Sequence, residues 1–155
     1  MLRPLGLALA LLLVAGTLPA RAQNFGVNND PNLIRMRYMV EDIPAAVAFY
    51  RDKLGFKVEA QSGNFFAALS RGNVQLLLSP TKGPGGASQP MPDGRKPVPG
   101  GWNRIVIYLP NLEAEVARLR KEGVHFRNDI VKGLGGNEIL LDDPSGNPIE
   151  LFQPG

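Results

Sequence analysis

The chain has 155 residues, 44% of them apolar and 20% charged, with 18 glycines, 14 prolines and no cysteine. That length suffices for one domain with a buried core of its own. The missing cysteine excludes disulfides, thiolate zinc sites, thiol nucleophiles and a lipid-modified cysteine anchor. A formal charge of +3 hints at acidic partners, but most of it sits in the opening segment.

In chain order, that opening segment reads as an address. Arg3 precedes an apolar stretch from Leu5 to Leu18, and Pro19-Ala20-Arg21-Ala22 follows. A charged start, an apolar middle and an A-x-A site predict a secretory signal peptide over 1–22. The apolar run of 14 residues falls short of the about 20 that a spanning helix needs. Cleavage after Ala22 would leave 133 residues and remove Arg3 and Arg21, so that 15 basic side chains face 14 acidic ones, a net +1. No basic run or aromatic-interleaved basic stripe remains, so no nucleic-acid partner is expected, and no membrane partner once the leader is gone. The expected location is periplasmic or secreted.

Residues 23–32 form a polar, flexible lead-in. A first module, 33–79, opens with an alternating strand over Ile34–Val40. Asp42 is a helix N-cap with Pro44 in the first turn. Ile43, Val47, Tyr50 and Leu54 then make the apolar stripe of a helix that Gly55 ends. Strands are predicted over Phe56–Gln61, Phe65–Ser70 and Val74–Ser79, with glycine- and asparagine-bearing turns between them. Residues 80–101 are a 22-residue stretch in which twelve positions are Gly or Pro. It reads as a loop, either a linker or a lid.

A second module, 102–155, repeats the order. It has a strand at Arg104–Leu109, a cap at Asn111, a helix stripe of Leu112, Val116 and Leu119, and strands near Val124–Val131, Glu138–Asp142 and Pro148–Phe152. Arg35, Val40, Asp42, Ile43, Val47 and Tyr50 correspond to Arg104, Leu109, Asn111, Leu112, Val116 and Leu119 at an offset of 69, and Gly72-Asn73 and Pro80 recur 74 positions later. Caps, stripes and turns do not match together by chance, so the halves are a tandem repeat. The fold class is α+β, two tandem βαβββ modules forming curved mixed sheets around a cavity.

This repeat, with Val40-Glu41-Asp42-Ile43 leading into Ala48-Phe49-Tyr50 and Leu54-Gly55-Phe56 and a closing Asp143-Pro144-Ser145-Gly146-Asn147-Pro148-Ile149-Glu150-Leu151, resembles the vicinal oxygen chelate superfamily. That superfamily includes glyoxalase I, extradiol dioxygenases and bleomycin-resistance proteins. The resemblance covers about Leu33 to Gln153. It implies a divalent metal held by His and Glu from the first and last strand of each module. Its first-strand positions, seven residues before each cap, hold Arg35 and Arg104. The last-strand positions hold Glu150 in the second module and either Leu76 or Gln75 in the first. Arginine is no metal ligand, so neither a metal nor another cofactor is expected. A metal-dependent lyase or dioxygenase using Glu150 and another ligand set is the alternative.

Strand alternation turns Arg35, Arg37 and Met39 inward, and likewise Arg104, Val106 and Tyr108, with Glu150 and Phe152 on the same side of the last strand. The expected ligand-binding set is Arg35, Arg37, Met39, Leu76, Arg104, Tyr108, Glu150 and Phe152, with further apolar wall from Leu78 and Trp102. Two guanidiniums about 5 Å apart repel by ~3 kcal/mol at an effective dielectric of 20, and one carboxylate offsets only one of them. The excess charge points to a small anionic or aromatic ligand held by forked donors. The competing reading is a closed network of arginines and Glu150 that binds nothing. A homodimer is compatible with the loop, which permits the modules to pair within a chain or to swap between chains. His125 reads as an ordinary strand or surface residue, Asp142-Asp143 as turn formers, and Glu138 as a surface carboxylate unless it faces inward.

Overall fold

The computed structural model describes Val27 and residues 30–155. The expected leader, 1–22, and most of the 23–32 lead-in lie outside the described residues. The first module runs β1 (Arg35–Val40), α1 (Ile43–Asp52), β2 (Lys57–Ser62), β3 (Phe66–Arg71) and β4 (Val74–Pro80); the second runs β5 (Ile105–Tyr108), α2 (Leu112–Lys121), β6 (Val131–Gly133), β7 (Gly136–Asp142) and β8 (Pro148–Pro154). Each module folds into a four-stranded mixed sheet, ordered β1-β4-β3-β2 and β5-β8-β7-β6. The first strand pairs parallel to the last, and the remaining pairs are antiparallel. The tandem βαβββ architecture is the one the sequence predicts.

Both helices start where a side chain satisfies an orphan amide. Asp42 accepts from the Ala45 N–H at 2.9 Å and Asn111 from the Ala114 N–H at 3.0 Å. α2 also carries Glu113 and Glu115 in its first turn and Arg118, Arg120 and Lys121 in its last, matched to the helix dipole. The buried stripes are Ile43, Ala46, Val47 and Tyr50 on α1, and Leu112, Val116 and Leu119 on α2. They pack with one face of each sheet, including Tyr38, Val40, Leu69, Leu76 and Leu78 from the first and Ile105, Ile107, Ile139, Ile149 and Leu151 from the second, into one continuous core. No described helix is long and apolar enough to cross a membrane.

Two segments depart from expectation. The strand predicted over Val124–Val131 is reduced to β6 and a lone bridge between Phe126 and Leu141. The cause is local: the Asn128 side chain, not a backbone carbonyl, accepts the Leu140 N–H at 2.9 Å, which breaks the ladder. At the β6–β7 hairpin, Gly136 has φ +149°, and a Cβ there would lie 2.1 Å from the Gln153 carbonyl oxygen, so only glycine fits. The second departure is Pro80–Gly101, where Gly86–Ser88 forms a 3-10 turn. Ser88 Oγ donates to the Pro80 carbonyl at 2.6 Å, and the Gln89 amide donates to the carbonyls of Gly83 and Gly85. The start of this loop is therefore fastened to the end of β4.

The closing turn of the second module joins the two halves. Asp143 Oδ1 accepts from the backbone N–H groups of Ser145 and Asn147, while Oδ2 accepts from the Tyr50 hydroxyl at 3.0 Å and from Asn147 Nδ2 at 2.9 Å. Asn147 Nδ2 also donates to the Met39 carbonyl, and Ser145 Oγ accepts from the Glu41 N–H. Beside this turn, the Tyr38 hydroxyl donates to the Pro148 carbonyl and accepts from the Ile105 N–H. Burial, followed by the Asp143 carboxylate, pushes the Tyr50 hydroxyl well above the ordinary tyrosine range. Asp143 is thus a turn former, as expected, whereas Asp142 ends β7 and accepts from Arg127; the turn also locks the modules together.

Candidate functional site

The face of each sheet turned away from the core carries the candidate chemistry. In the first sheet the parallel register sets Arg35 across from Gln75, Arg37 across from Leu77 and Met39 across from Ser79. Neighbouring residues across a sheet point the same way, so Arg35, Arg37, Met39, Gln75 and Ser79 share this open face. In the second sheet Val106 lies across from Glu150 and Tyr108 across from Phe152, with Glu138 beside Phe152. Arg35, Arg37, Met39, Tyr108, Glu150 and Phe152 thus alternate with core-facing neighbours and lie on the side away from the core.

Leu76 does not belong to this set. It is fully buried on the core side, as is Leu78. A one-residue slip in the match between the two last strands put Leu76 on the wrong face. Gln75 occupies the open-face position instead, and it is buried.

Each module then shows the same contact. Arg35 Nε donates to Gln75 Oε1 at 2.8 Å, and Arg104 Nε donates to Glu150 Oε2 at 2.6 Å. The second is an ion pair in which the Glu150 side chain is 9% exposed and that of Arg104 30%. Arg35 Nη1 also donates to the Leu33 carbonyl and Nη2 to the Asp30 carbonyl. Arg37 donates to the Ser79 hydroxyl. Arg104 therefore meets a carboxylate, whereas Arg35 and Arg37 meet neutral acceptors, and the positive charge of the first sheet's open face is not offset within these contacts.

The expected convergence of three arginines on Glu150 does not form within the chain. Glu150 pairs with Arg104 alone. The core sides of both sheets share one hydrophobic cluster, which leaves the open faces turned outward, with Val106 45% and Tyr108 66% exposed. The Tyr108 and Phe152 rings lie 5.1 Å apart and form an aromatic patch. Trp102 is exposed at the loop's end, with Arg127 over its ring at 5.9 Å. His125 is exposed and outside the site.

These donors do not fit the metal that the resemblance implies. Arg35 and Arg104 cannot ligate, Gln75 is neutral, and the one carboxylate, Glu150, is taken by a guanidinium. Among the described residues no three His, Cys, Asp or Glu side chains are grouped to hold an ion.

Sequence reasoning missed a hollow at the far end of the first sheet. It measures about 500 Å³ and is lined by Arg37, Ser62, Phe65, Phe66, Ser79 and the loop segment from Pro84 to Ser88. Phe65, predicted to open a strand, lies just before β3 and is 61% exposed. Strand alternation signalled Arg37, but the expected inward Leu76 and Leu78 put Ser79 on the other face, and nothing in the sequence signalled the loop's fold over them.

A sequence profile of the Glyoxalase/Bleomycin resistance protein/Dioxygenase superfamily matches residues 32–151. No curated protein matches the sequence. Among solved structures, lactoylglutathione lyase from Agrobacterium tumefaciens is 19% identical, with a TM-score of 0.61 over 81% of this chain and 96% of that one. An antibiotic binding protein from Streptomyces sp. CB03234 is 23% identical, with a TM-score of 0.61 over 83% and 100% of the two chains. A member of the glyoxalase/bleomycin resistance protein/dioxygenase superfamily from Sphaerobacter thermophilus DSM 20745 is also 23% identical, with a TM-score of 0.61 over 78% and 95%.

Proposed function

The chain belongs to the glyoxalase/bleomycin resistance protein/dioxygenase superfamily, and from that premise we propose that it is a secreted or periplasmic protein that binds a small anionic or aromatic molecule without a metal. The observation that carries this reading is the paired contact of Arg35 with Gln75 and of Arg104 with Glu150, at the positions where the resemblance puts metal ligands. A guanidinium fork favours planar anions such as carboxylates. Arg35 and Arg37, whose acceptors are neutral, supply the attraction. Met39, Tyr108 and Phe152 supply apolar and aromatic wall. The antibiotic binding protein from Streptomyces is an example of this fold used for binding.

A homodimer is part of the proposal. A second copy laid on the open faces would cover Val106 and Tyr108 and close the cavity that one chain leaves open. The signal-like leader, 1–22, supports export.

The test is calorimetric titration of the chelator-treated mature chain with a panel of small organic acids and inorganic phosphate. At least one acid is expected to bind, and Arg35→Ala or Arg37→Ala is expected to weaken it about tenfold, the value of one charge-assisted hydrogen bond. A panel with no binder, or binding that neither variant alters, overturns the proposal.

A further inference from the structure

The hollow beside Arg37 has a composition that restricts its occupant. Among the described residues its lining includes one cation, Arg37, three serines, two phenylalanines and no acid. Arg37 forms no ion pair among the described residues; its hydrogen bond goes to the Ser79 hydroxyl. Arg37 is exposed as a residue, yet partial burial pulls its guanidinium below the ordinary arginine value. It remains protonated at any physiological pH. A partly desolvated cation with a neutral partner gains most from one added negative charge.

The roof is built, not incidental. The segment from Pro84 to Ser88 covers Arg37 and Ser79, held down by the buried hydrogen bond from Ser88 Oγ to the Pro80 carbonyl and by Gln89 across the turn. Phe65 projects at the mouth, largely exposed, and Phe66 lines the wall beside it. A volume of about 500 Å³ lies in the range of small-ligand sites and suits one or two fused rings.

We propose that this loop-roofed hollow is a binding site for an aromatic monocarboxylate, its carboxylate on the Arg37 fork and the Ser79 hydroxyl, its ring against Phe65 and Phe66. The inference rests on the reading of the chain as an anion binder and narrows it. It assigns the loop 80–101 a role as roof rather than linker. A dianion is disfavoured because the lining offers one cation.

The probe is 2-naphthoate, titrated into the isotopically labelled mature chain and followed by amide NMR, with 2-naphthylmethanol as its uncharged counterpart. Saturable shifts are expected at Phe65, Phe66, Ser79 and Gly85–Ser88. Arg37→Gln is expected to weaken binding about tenfold or more, and the alcohol to bind weaker by a similar factor. Phe65→Ala, an exposed position that cannot disturb the core, is expected to weaken it severalfold. Naphthoate that binds with shifts elsewhere, or that is indifferent to both substitutions, overturns this site while leaving the broader reading intact. Failure of naphthoate and of every other acid in the panel overturns both.

Discussion

Replacing Asp143 with alanine tests how the two modules are held together. The carboxylate is 4% exposed and accepts four hydrogen bonds: from the N–H groups of Ser145 and Asn147, from Asn147 Nδ2 and from the Tyr50 hydroxyl. Two of these shape the turn, and the Tyr50 bond crosses from α1 to the second module. Removing the acceptor leaves the Tyr50 hydroxyl, itself fully buried, and two turn amides in need of partners. Bonds to a charged acceptor contribute about 1.5–3 kcal/mol each and do not add fully, so Asp143→Ala should cost about 3–5 kcal/mol. Tyr50→Phe removes only the crossing bond and should cost about 1–2 kcal/mol. Equilibrium urea unfolding reads both as a lower midpoint at unchanged slope. A coupling energy of about 1 kcal/mol or more between the two sites in a double-mutant cycle is expected. A loss below ~1 kcal/mol for Asp143→Ala, within the range of surface substitutions, would refute the argument that this turn locks the halves.

The raised Tyr50 hydroxyl gives a pH dependence of definite sign: the fold keeps a proton that the unfolded chain releases, so its contribution is complete below the ordinary tyrosine value of about 10 and is lost as pH rises above it. Unfolding free energy measured from pH 8 to 11 should therefore fall above about 10, and Tyr50→Phe should flatten that fall. Arg104→Ala strands the buried Glu150 carboxylate and should cost about 3–5 kcal/mol, whereas the double change Arg104→Met with Glu150→Leu should recover most of it; thermal unfolding distinguishes the two. Gly136→Ala places a Cβ against the Gln153 carbonyl and at a φ that alanine resists, so loss of several degrees in melting temperature is expected, against no change for Gly135→Ala, whose Cβ meets only ordinary contacts.

Much of the fold was legible because it rests on short-range chemistry. The caps Asp42 and Asn111, the apolar stripes of α1 and α2, and the alternation of β1 and β5 each follow from the residues in place. The site was legible as far as strand parity reaches, which gave Arg35, Arg37, Met39, Arg104, Tyr108, Glu150 and Phe152. It failed at Leu76 because the two last strands do not leave their turns in the same register. Gln75 follows Asn73 by two residues, whereas Glu150 follows Asn147 by three, and a single step changes the face. The shortened strand before β6 was hidden because one side-chain bond, from Leu140 to Asn128, overrides a run of good strand formers. The roofed hollow was hidden because it depends on where a glycine- and proline-rich loop lands, which no periodicity encodes.

The central claim is that arginine–acceptor pairs stand in place of a metal centre. It is tested most directly by metal analysis of the mature chain after incubation with a mixture of divalent ions and exhaustive dialysis. Content far below one ion per chain, with an unchanged melting temperature in chelator, is the result predicted. One tightly held divalent ion per chain, lost together with ligand binding or activity on chelation, would contradict it.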